Sequence, residues 1–528
     1  MKKKIFALIG LTGVFFGSIS CFGADGIKGD VDQNGLIEAN DAAYTLQYAL
    51  TGVNSGYTES QVWAAEVDGE DGVSANDAAY ILQKALVSTF EFPVKDNNGT
   101  DPVDTSDGVV VTDASELYAA VSKGEKKIYI KGELSCDKQL ALSSENAGME
   151  FYGLTNDDGT AAALNFLPFR DACTKSGESS TAIYIKGSNY TFTNLIIENS
   201  GDCGVRIKGS AAGNCEFTNC VFRYNNNSGI SVTSGGHDNI FNCCDSYRNG
   251  DIVQKSGADA DGYSVKLSAG KGNSFYNCRA WENADDGWDS YDRGDVVPDV
   301  YYEECLAWHN GNPDTFTGEY DYNNGYALDK NLVYVQAILK ADPTFEEKYN
   351  AHTVEKWPNV TMSLLGTTNN YTRLYSSWGG NPNGFKFGSS DSNSTEYRFI
   401  KNCIAFDHYG NGGAAVQYRA KGFDQNSDNG NSGIHYDLEN ILAFNNVENI
   451  QMVKMNADSI KGVVWSFENC ADPNGTMYAD EPSAGMTIVN PENREELKAK
   501  VYAYRDMIYE HVYNNKIPGK QICDVFPK

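Results

Sequence analysis

Cations are in short supply. Lys and Arg together number 42 against 71 Asp and Glu, and the formal charge is −29 at pH 7. A surface this acidic repels nucleic acid and anionic membrane and keeps a protein in solution. Long apolar runs are absent after about residue 22, so no later stretch suits a bilayer span. Histidine is scarce, with six in all; His309, His408 and His435 are scattered and none has a triad-like context. From Ile128 to about Asn469 helical periodicity is nearly missing as well. A nucleic-acid binder, a membrane-spanning protein and a helical bundle are all disfavoured.

What is present begins with Met1-Lys2-Lys3-Lys4 and an almost uncharged apolar run from Ile5 to about Phe22, ending on small residues near Gly23-Ala24. This pattern reads as a cleaved secretion signal over residues 1–24, with an extracellular location expected. Residues 25–90 hold a duplication: ANDAAYTLQYAL (39–50) returns as ANDAAYILQKAL (75–86), a period of 36 residues. In the acidic loop before the first copy, Asp30, Asp32, Asn34 and Asp41 take positions 1, 3, 5 and 12, with Gly35 at position 6. That is calcium-loop spacing, with Asp41 in place of the usual glutamate. The second loop runs through Glu66, Asp68, Glu70 and Asp77, but its Gly72 falls at position 7. An orphan EF-hand-like stabilising module is one reading. The pair also resembles a dockerin, the small bacterial module that binds a cohesin on a scaffoldin, over about residues 27–88. The resemblance implies Ca2+ in the loops, docking through Ala42-Ala43-Tyr44 and Ala78-Ala79-Tyr80, and attachment to a cellulosome-like complex. Residues 91–110, mostly polar and holding two prolines, read as a linker.

From 111 to 528 the pattern changes. DASELYAAVSKG (113–124) opens with the capping-box pair Asp113 and Glu116 and predicts a short helix able to cover the first coil of this second domain. Short β-branched or aromatic runs come next, among them AIYIKG, GVRIKG and GISVTS, punctuated by Asn, Gly and Asp. One landmark recurs: Asn219-Cys220, Asn242-Cys243, Asn277-Cys278, Asn402-Cys403 and Asn469-Cys470, with Glu304-Cys305 as a variant. Its steps of 23, 35 and 27 residues from Cys220 to Cys305 suit coils of three short strands, the excess being loop insertions. The expected fold is all-β, a right-handed parallel β-helix; a β-propeller repeats at about 40–50 residues. Equivalent rungs of a stack take small buried side chains, so the cysteines read as largely free. NPENREELKAKVYAYRDMIYEHVYNN (490–515) predicts a helix capped by Asn490 with Pro491 in its first turn, packing on the solenoid to hide an edge.

NADDGWDSYDRGD (283–295) crowds five aspartates together. In a turn at a strand end, Asp285, Asp286 and Asp289 can converge as they could not on a flat strand. Asp261 stands 24 residues upstream of Asp285, one coil's length, which places it about 5 Å away. Four carboxylates suit a hard cation, and Ca2+ fits a secreted protein best. A catalytic ion, a structural ion and a solvated loop all stay open on this ground. Asp292 and Asp295 are weaker ligands, with Asp292 set to pair with Arg293. Trp281, Trp288 and Trp308 are core residues or sugar platforms, core packing being favoured for the first and last. Within Gly384-Phe385-Lys386-Phe387-Gly388, alternation buries the phenylalanines and turns Lys386 outward, where a lysine is usually solvated.

CRAWENADDGWD (278–289) with NGFKFG (383–388), and more weakly KGFDQN (421–426), resembles the family 9 polysaccharide lyases over about residues 111–480. The resemblance implies a β-helix of about ten coils that cleaves polygalacturonate (pectin) by calcium-assisted β-elimination to 4,5-unsaturated products. It assigns the calcium to Asp261, Asp285, Asp286 and Asp289, and the catalytic base to Lys386. Two features depart from the family. Between Asp289 and Lys386 lie 96 residues, the excess falling in 311–379 as a lid or cleft wall, and the motif ends FKFGS rather than FKLGG. Lys266, Arg279, Arg293, Arg419 and Lys421 are further cations suited to substrate carboxylates, with Lys266 and Arg279 nearest in coil register. Two rivals share the fold: a polygalacturonan or rhamnogalacturonan hydrolase, which needs paired carboxylates and no metal, and a noncatalytic pectin-binding protein.

Overall fold

The computed structural model describes residues 29–32, 37–51, 59–65, 67, 73, 75–86, 103–291, 299–388, 396–410, 419–426 and 433–527. The expected signal, most of the linker, Asn34, Glu66, Asp68, Glu70, Asp292, Arg293 and Asp295 lie outside the described residues. The chain divides into two compact units, Met1–Gly99 and Thr100–Lys528. No helix among the described residues is long and apolar enough to cross a membrane.

In the first unit the duplicated segments form helices Ala39–Thr51 and Ala75–Leu86, packed together with Glu59–Ala65. The duplication extends to the hydrogen bonds. Asp41 accepts from the backbone of Val31 (2.8 Å), Asp32 (3.0 Å) and Glu38 (2.8 Å), and Asp77 accepts from Val67 (2.7 Å). Each aspartate thereby ties the start of its helix to the loop ten residues earlier. Ala42 and Ala78, expected at a docking surface, instead lie in the core with Val31, Val67 and Ile81. The exposed apolar pairs of the repeat are Leu46 with Leu82 and Leu50 with Leu86.

The second unit stacks short parallel strands coil upon coil, the architecture of a parallel β-helix, consistent with right-handed winding. One face is a nine-stranded sheet that includes Ile183–Ile185, Val205–Lys208, Ile230–Thr233, Tyr263–Val265, Trp288–Asp289, Asn383–Lys386 and Lys421–Asp424. The remaining faces join in an eighteen-stranded parallel ladder. Because each coil lies one strand spacing from the next, like side chains stack on like. Phe151, Phe192, Phe217, Phe241 and Phe275 form an internal column with centroids 4.7–5.3 Å apart. Helix Ala114–Lys123, capped by Asp113 through the Glu116 amide, packs Leu117, Ala120 and Val121 onto the same core at its first coil.

The cysteine landmark has a structural cause and one displaced member. Asn219, Cys243, Asn277, Glu304 and Asn402 share a left-handed turn, with φ between 51° and 55°, a conformation Asn tolerates better than most side chains. The residue after each turns inward, giving a ladder of Cys220, Cys244, Cys278, Cys305 and Cys403. Each thiol donates to a carbonyl of the preceding coil at 3.2–3.6 Å. Cys243 therefore holds the turn and Cys244 the rung, one residue off the expected register, and Cys470 stands outside the ladder because Ile441 and Val464 continue it. All twelve cysteines among the described residues are free, nine of them buried.

A second ladder runs through the amides of Asn225, Asn249, Asn283 and Asn310, then His408, then Asn446. His408 is thus a structural rung. Burial pulls its imidazole down to about 3, so it stays neutral in the fold and gains a proton readily only on unfolding, where the ordinary value is about 6.5. The stability tied to the neutral ring is present above pH 6.5 and drains away as pH falls toward 3. We expect His408→Asn, which keeps an amide at this rung, to flatten the decline in Tm between pH 6.5 and 4. Parallel declines in parent and variant would contradict this account.

Two helical regions differ from expectation. The 311–379 excess is not strand-like: it holds helices Pro313–Thr317, Glu319–Asn324, Val333–Ala341, Phe345–Asn350 and Tyr371–Ser376, a hairpin (361–370), and a core of its own. Fully buried Arg248 anchors it, pairing with Glu282 of the β-helix at 2.7 Å and with Asp321 at 2.6 Å and Asp329 of the insertion. The C-terminal helix spans Arg494–Tyr513, after Asn490 and Pro491. It covers a flank rather than an edge. Leu497, Val501, Ile508 and Tyr509 pack along outward residues of successive coils, among them Val221, Tyr247, Trp281, Trp308, Phe406 and Phe444.

Candidate functional site

The site lies on the outward face of the nine-stranded sheet, where a column of glycines lets acidic turns stack closely. A Cβ at Gly262 would stand 2.7 Å from the Gly287 carbonyl, and one at Gly287 would stand 2.6 Å from that of Gly384. The backbone of Gly262 donates to Asp286 O and that of Asp285 to Ala260 O, each at 2.9 Å. Asp261 therefore sits one coil above Asp285 and Asp286. Carboxylate oxygens of these three lie within 4.8 Å of one another, and all three side chains are buried.

Asp289 stands apart from this trio and meets two amines. Its Oδ2 accepts from Lys266 Nζ at 2.6 Å and from Lys386 Nζ at 3.1 Å, and its Oδ1 from the Tyr291 amide at 2.9 Å. Lys266 also donates to Asp261 Oδ2 at 2.7 Å, and Lys386 to Asp286 Oδ2 at 2.9 Å. Lys386 does point outward, in register with Asp289, yet it is only 9 % exposed rather than solvated. The turn is held by residues the motif reading passed over. Asn383 Nδ2 donates to Asp286 Oδ1 at 2.8 Å, the Asn381 amide donates to Asp285, and the Ser264 hydroxyl donates to Asp261. Asn383 opens the NGFKFG motif and was the legible one.

The electrostatics reflect burial and crowding. Burial pushes Asp261 up, pushes Asp286 up to about 8, and, reinforced by Asp286 and Asp261, pushes Asp285 well above the carboxylate range. Asp289 is opposed by burial too, but Lys266 and Lys386 outweigh it and hold its carboxyl below the usual range. Burial alone would lower both amines; the surrounding carboxylates reverse this and raise Lys266 and Lys386 above an ordinary lysine. Four buried carboxylates face two ammonium groups. Once all four are ionised they exceed the two ammonium groups by two negative charges, and that excess, in an all-oxygen donor set, fits a hard divalent cation. In the first unit, Asp30, Asp32 and Asp41 form a second small acidic cluster able to coordinate a metal ion, also within 4.8 Å.

The other expected cations divide. Arg419 pairs with Glu448 at 3.0 Å and Lys421 with Asp424 at 3.0 Å, Lys421 lying in register with Asn383 on the same sheet. Arg279 is a correction: it is fully buried on another face, locked to Asp245 at 2.5 Å and donating to Tyr504 and Gly519 beneath the C-terminal helix. No substrate can reach it. Trp281, Trp288 and Trp308 are all core residues. The insertion runs beside the sheet: Leu365 rests against Gly201, Gln254 Nε2 donates to Leu364 O at 2.8 Å, and Asn369 Nδ2 donates to Ile252 O at 2.9 Å. It borders the flank of the face rather than replacing any group within the site.

Fold and site together define a parallel β-helix protein with a candidate cation centre and a buried lysine on one outward sheet face. The profile of a family described as "Pel9A-like, right handed beta helix region" matches residues 98–328, under half of the chain. The chain is similar to "Pectate lyase L" of Dickeya dadantii (strain 3937), 35% identical over 158 residues, covering 29% of this chain and 35% of that protein. It is also similar to "Pectate lyase L" of Paenibacillus polymyxa (strain SC2), 27% identical over 266 residues, covering 48% and 53%. The matched region thus spans about a third to a half of the length of these relatives. Among solved structures it is similar to pectate lyase Pel9A, with a TM-score of 0.44 and 21% identity, covering 70% of this chain and 75% of that one.

Proposed function

We propose that the second unit is a calcium-dependent pectate lyase that cleaves polygalacturonate by β-elimination. The observation that carries this reading is the meeting of the acidic trio with an enclosed amine, Lys386 Nζ lying 2.9 Å from Asp286 Oδ2. The profile match and the relatives named pectate lyase support it. In a uronate chain the C4–O bond is β to the carboxylate-bearing carbon. Lys386, neutral, takes the C5 proton; the released pair forms the C4–C5 double bond and the C4–O bond breaks, its oxygen leaving to be protonated. Asp261, Asp285, Asp286 and Asp289 would hold the calcium, which when bound neutralises a substrate carboxylate and makes C5 more acidic. The carboxylates that raise the Lys386 amine are the same groups that would turn to the cation, so ligation and deprotonation are linked. Lys266, bridging Asp261 and Asp289, is placed to meet the departing oxygen or a neighbouring carboxylate.

We further propose that the chain is secreted and that its first unit is a dockerin-like calcium module binding a cohesin of a scaffoldin in a cellulosome-like complex. The paired Asp41 and Asp77 clamps and the duplicated exposed leucines support that reading. The decisive experiment for the second unit incubates the purified chain with polygalacturonate and Ca2+. Rising ultraviolet absorbance from a double bond conjugated to the uronate carboxylate is expected. New reducing ends without that absorbance would replace the lyase by a hydrolase, and neither signal would leave a pectin-binding protein.

A further inference from the structure

Toward the N-terminal coils the outward rows of the nine-stranded sheet change charge. In register with Lys386 and Asp289 come Ser264, then Ser231, then Arg206. In the neighbouring row, each one residue past the paired Val265, Val232, Ile207 and Ile185, stand Lys266, Thr233, Lys208 and, on the coil beyond, Lys186. The alternating residues Ile207, Val232 and Val265 point into the core, so all these side chains face one way. Between the two charged groups stand only short hydroxyl side chains, Ser231, Thr233 and Ser264, a low floor beside the taller lysines. Arg206 lies three strands from Asp289, about 14 Å at the usual strand spacing.

These cations are positioned rather than loose. Arg206 donates to Asp202 Oδ2 at 2.6 Å, and Lys208 pairs with Glu178, which also accepts from Tyr184 at 2.9 Å. Lys186 is exposed over the Tyr184 ring, its Nζ 4.5 Å from the centroid. Arg206 and Lys208 each meet one carboxylate and Lys186 meets none among the described residues, while Lys255 beside Asp202 is matched by Asp259, so an unmatched cation stands on this outward face of a chain whose net charge is −29. On the other side of Lys386 the cations are matched one for one, Lys421 by Asp424 and Arg419 by Glu448. The insertion adds a wall at this end, where Leu365 meets Gly201 beside Asp202.

We propose that Lys186, Arg206 and Lys208 form a carboxylate-binding subsite for a polyuronate chain that runs from the acidic trio over the N-terminal coils. The substrate class rests on the lyase reading of this face. The repeat of an extended uronan is comparable with the spacing between coils, so a chain anchored at the trio reaches these cations a few sugars away. Ser231 and Thr233 supply hydrogen-bonding partners for the sugar hydroxyls between.

The test uses the full, calcium-loaded chain with Lys186→Ser and Lys208→Ser combined, a change that leaves the Arg206–Asp202 pair intact. KM for polygalacturonate should rise about tenfold at low ionic strength, with kcat unchanged. Constants for trigalacturonate, too short to reach the subsite, should not move. An unchanged polymer KM, or an equal rise for the trimer, overturns the proposal. Polygalacturonate retardation in native affinity gels, measured on a Lys386→Ala background, separates the two readings. A parent that yields no unsaturated product while the double substitution still weakens retardation sinks the lyase and upholds the subsite. An active parent with undiminished retardation in the variant sinks the subsite alone.

Discussion

Lys386→Ala should remove at least about 1,000-fold of the kcat for double-bond formation, with calcium binding and polygalacturonate retardation retained. Lys386 is the outward amine on the strand next to the acidic turn, enclosed at 9 % exposure, and it touches two of the four carboxylates. Lys386→Arg should be as inactive as the alanine variant: a guanidinium keeps the charge and the pairing but does not release its proton in a protein. That comparison separates a base from a charge that merely binds substrate. The pH dependence has a defined sign. Asp286 and Asp289 hold the amine above its ordinary value, so activity depends on losing that proton and should climb into the alkaline range. Raising calcium should shift the climb to lower pH by engaging those carboxylates. The rival amine is Lys266, bridging Asp261 and Asp289 at 2.7 and 2.6 Å. Should Lys266→Ala silence the enzyme while Lys386→Ala retains it, the base has been assigned to the wrong lysine.

The β-helix was legible because its regularity is written residue by residue: inward apolar positions alternate with polar ones, and Asn recurs at the left-handed turns. Register was harder. Two adjacent cysteines, Cys243 and Cys244, offer the same local text, and only the neighbouring coils decide which one holds the turn. Arg279 was misplaced for a related reason. Proximity in coil register fixes height along the axis and not the face, and the strand Arg279–Trp281 is buried on both sides, a pattern of covered strands. That pattern was itself a signal. Runs such as LIIE, LAW and LAF lack alternation where the C-terminal helix covers them. Most helices of the insertion have five or six residues, too short to show a period, and Arg248 fixes them through contacts that local text does not carry. At the site, the aspartates and the lysine could be read from motifs, but the enclosure of Lys386 and the turn-holding Asn381 and Ser264 required the stacked coils.

Asp286→Asn should weaken calcium binding by at least about 100-fold and at the same time make the metal-free protein more stable near pH 8. The two effects share one cause. Four buried carboxylates against two ammonium groups leave an excess that either a cation or retained protons must satisfy. Burial raises the Asp286 carboxyl to about 8, so without metal it keeps its proton at neutral pH while the unfolded chain gives it up near 3.9. For an acid shifted upward, the native state binds the extra proton between these values. Metal-free stability therefore falls as pH rises from about 4 to 8 and stays low above that. Asparagine removes this penalty, worth a few kcal/mol, and Lys386 keeps its contact with Asp289 at 3.1 Å. Calcium must displace the Asp286 proton and the one that burial keeps on Asp285, so binding in the parent should tighten as pH rises through about 8 and release protons to buffer. Calorimetry in buffers of different ionisation enthalpy measures that release. Melting curves measure the other half: saturating calcium at 100 times Kd should add about 2.7 kcal/mol to the parent and little to the variant. A variant that keeps the full calcium-induced gain would show that Asp286 is not a ligand, and the cation centre would have to be rebuilt without it.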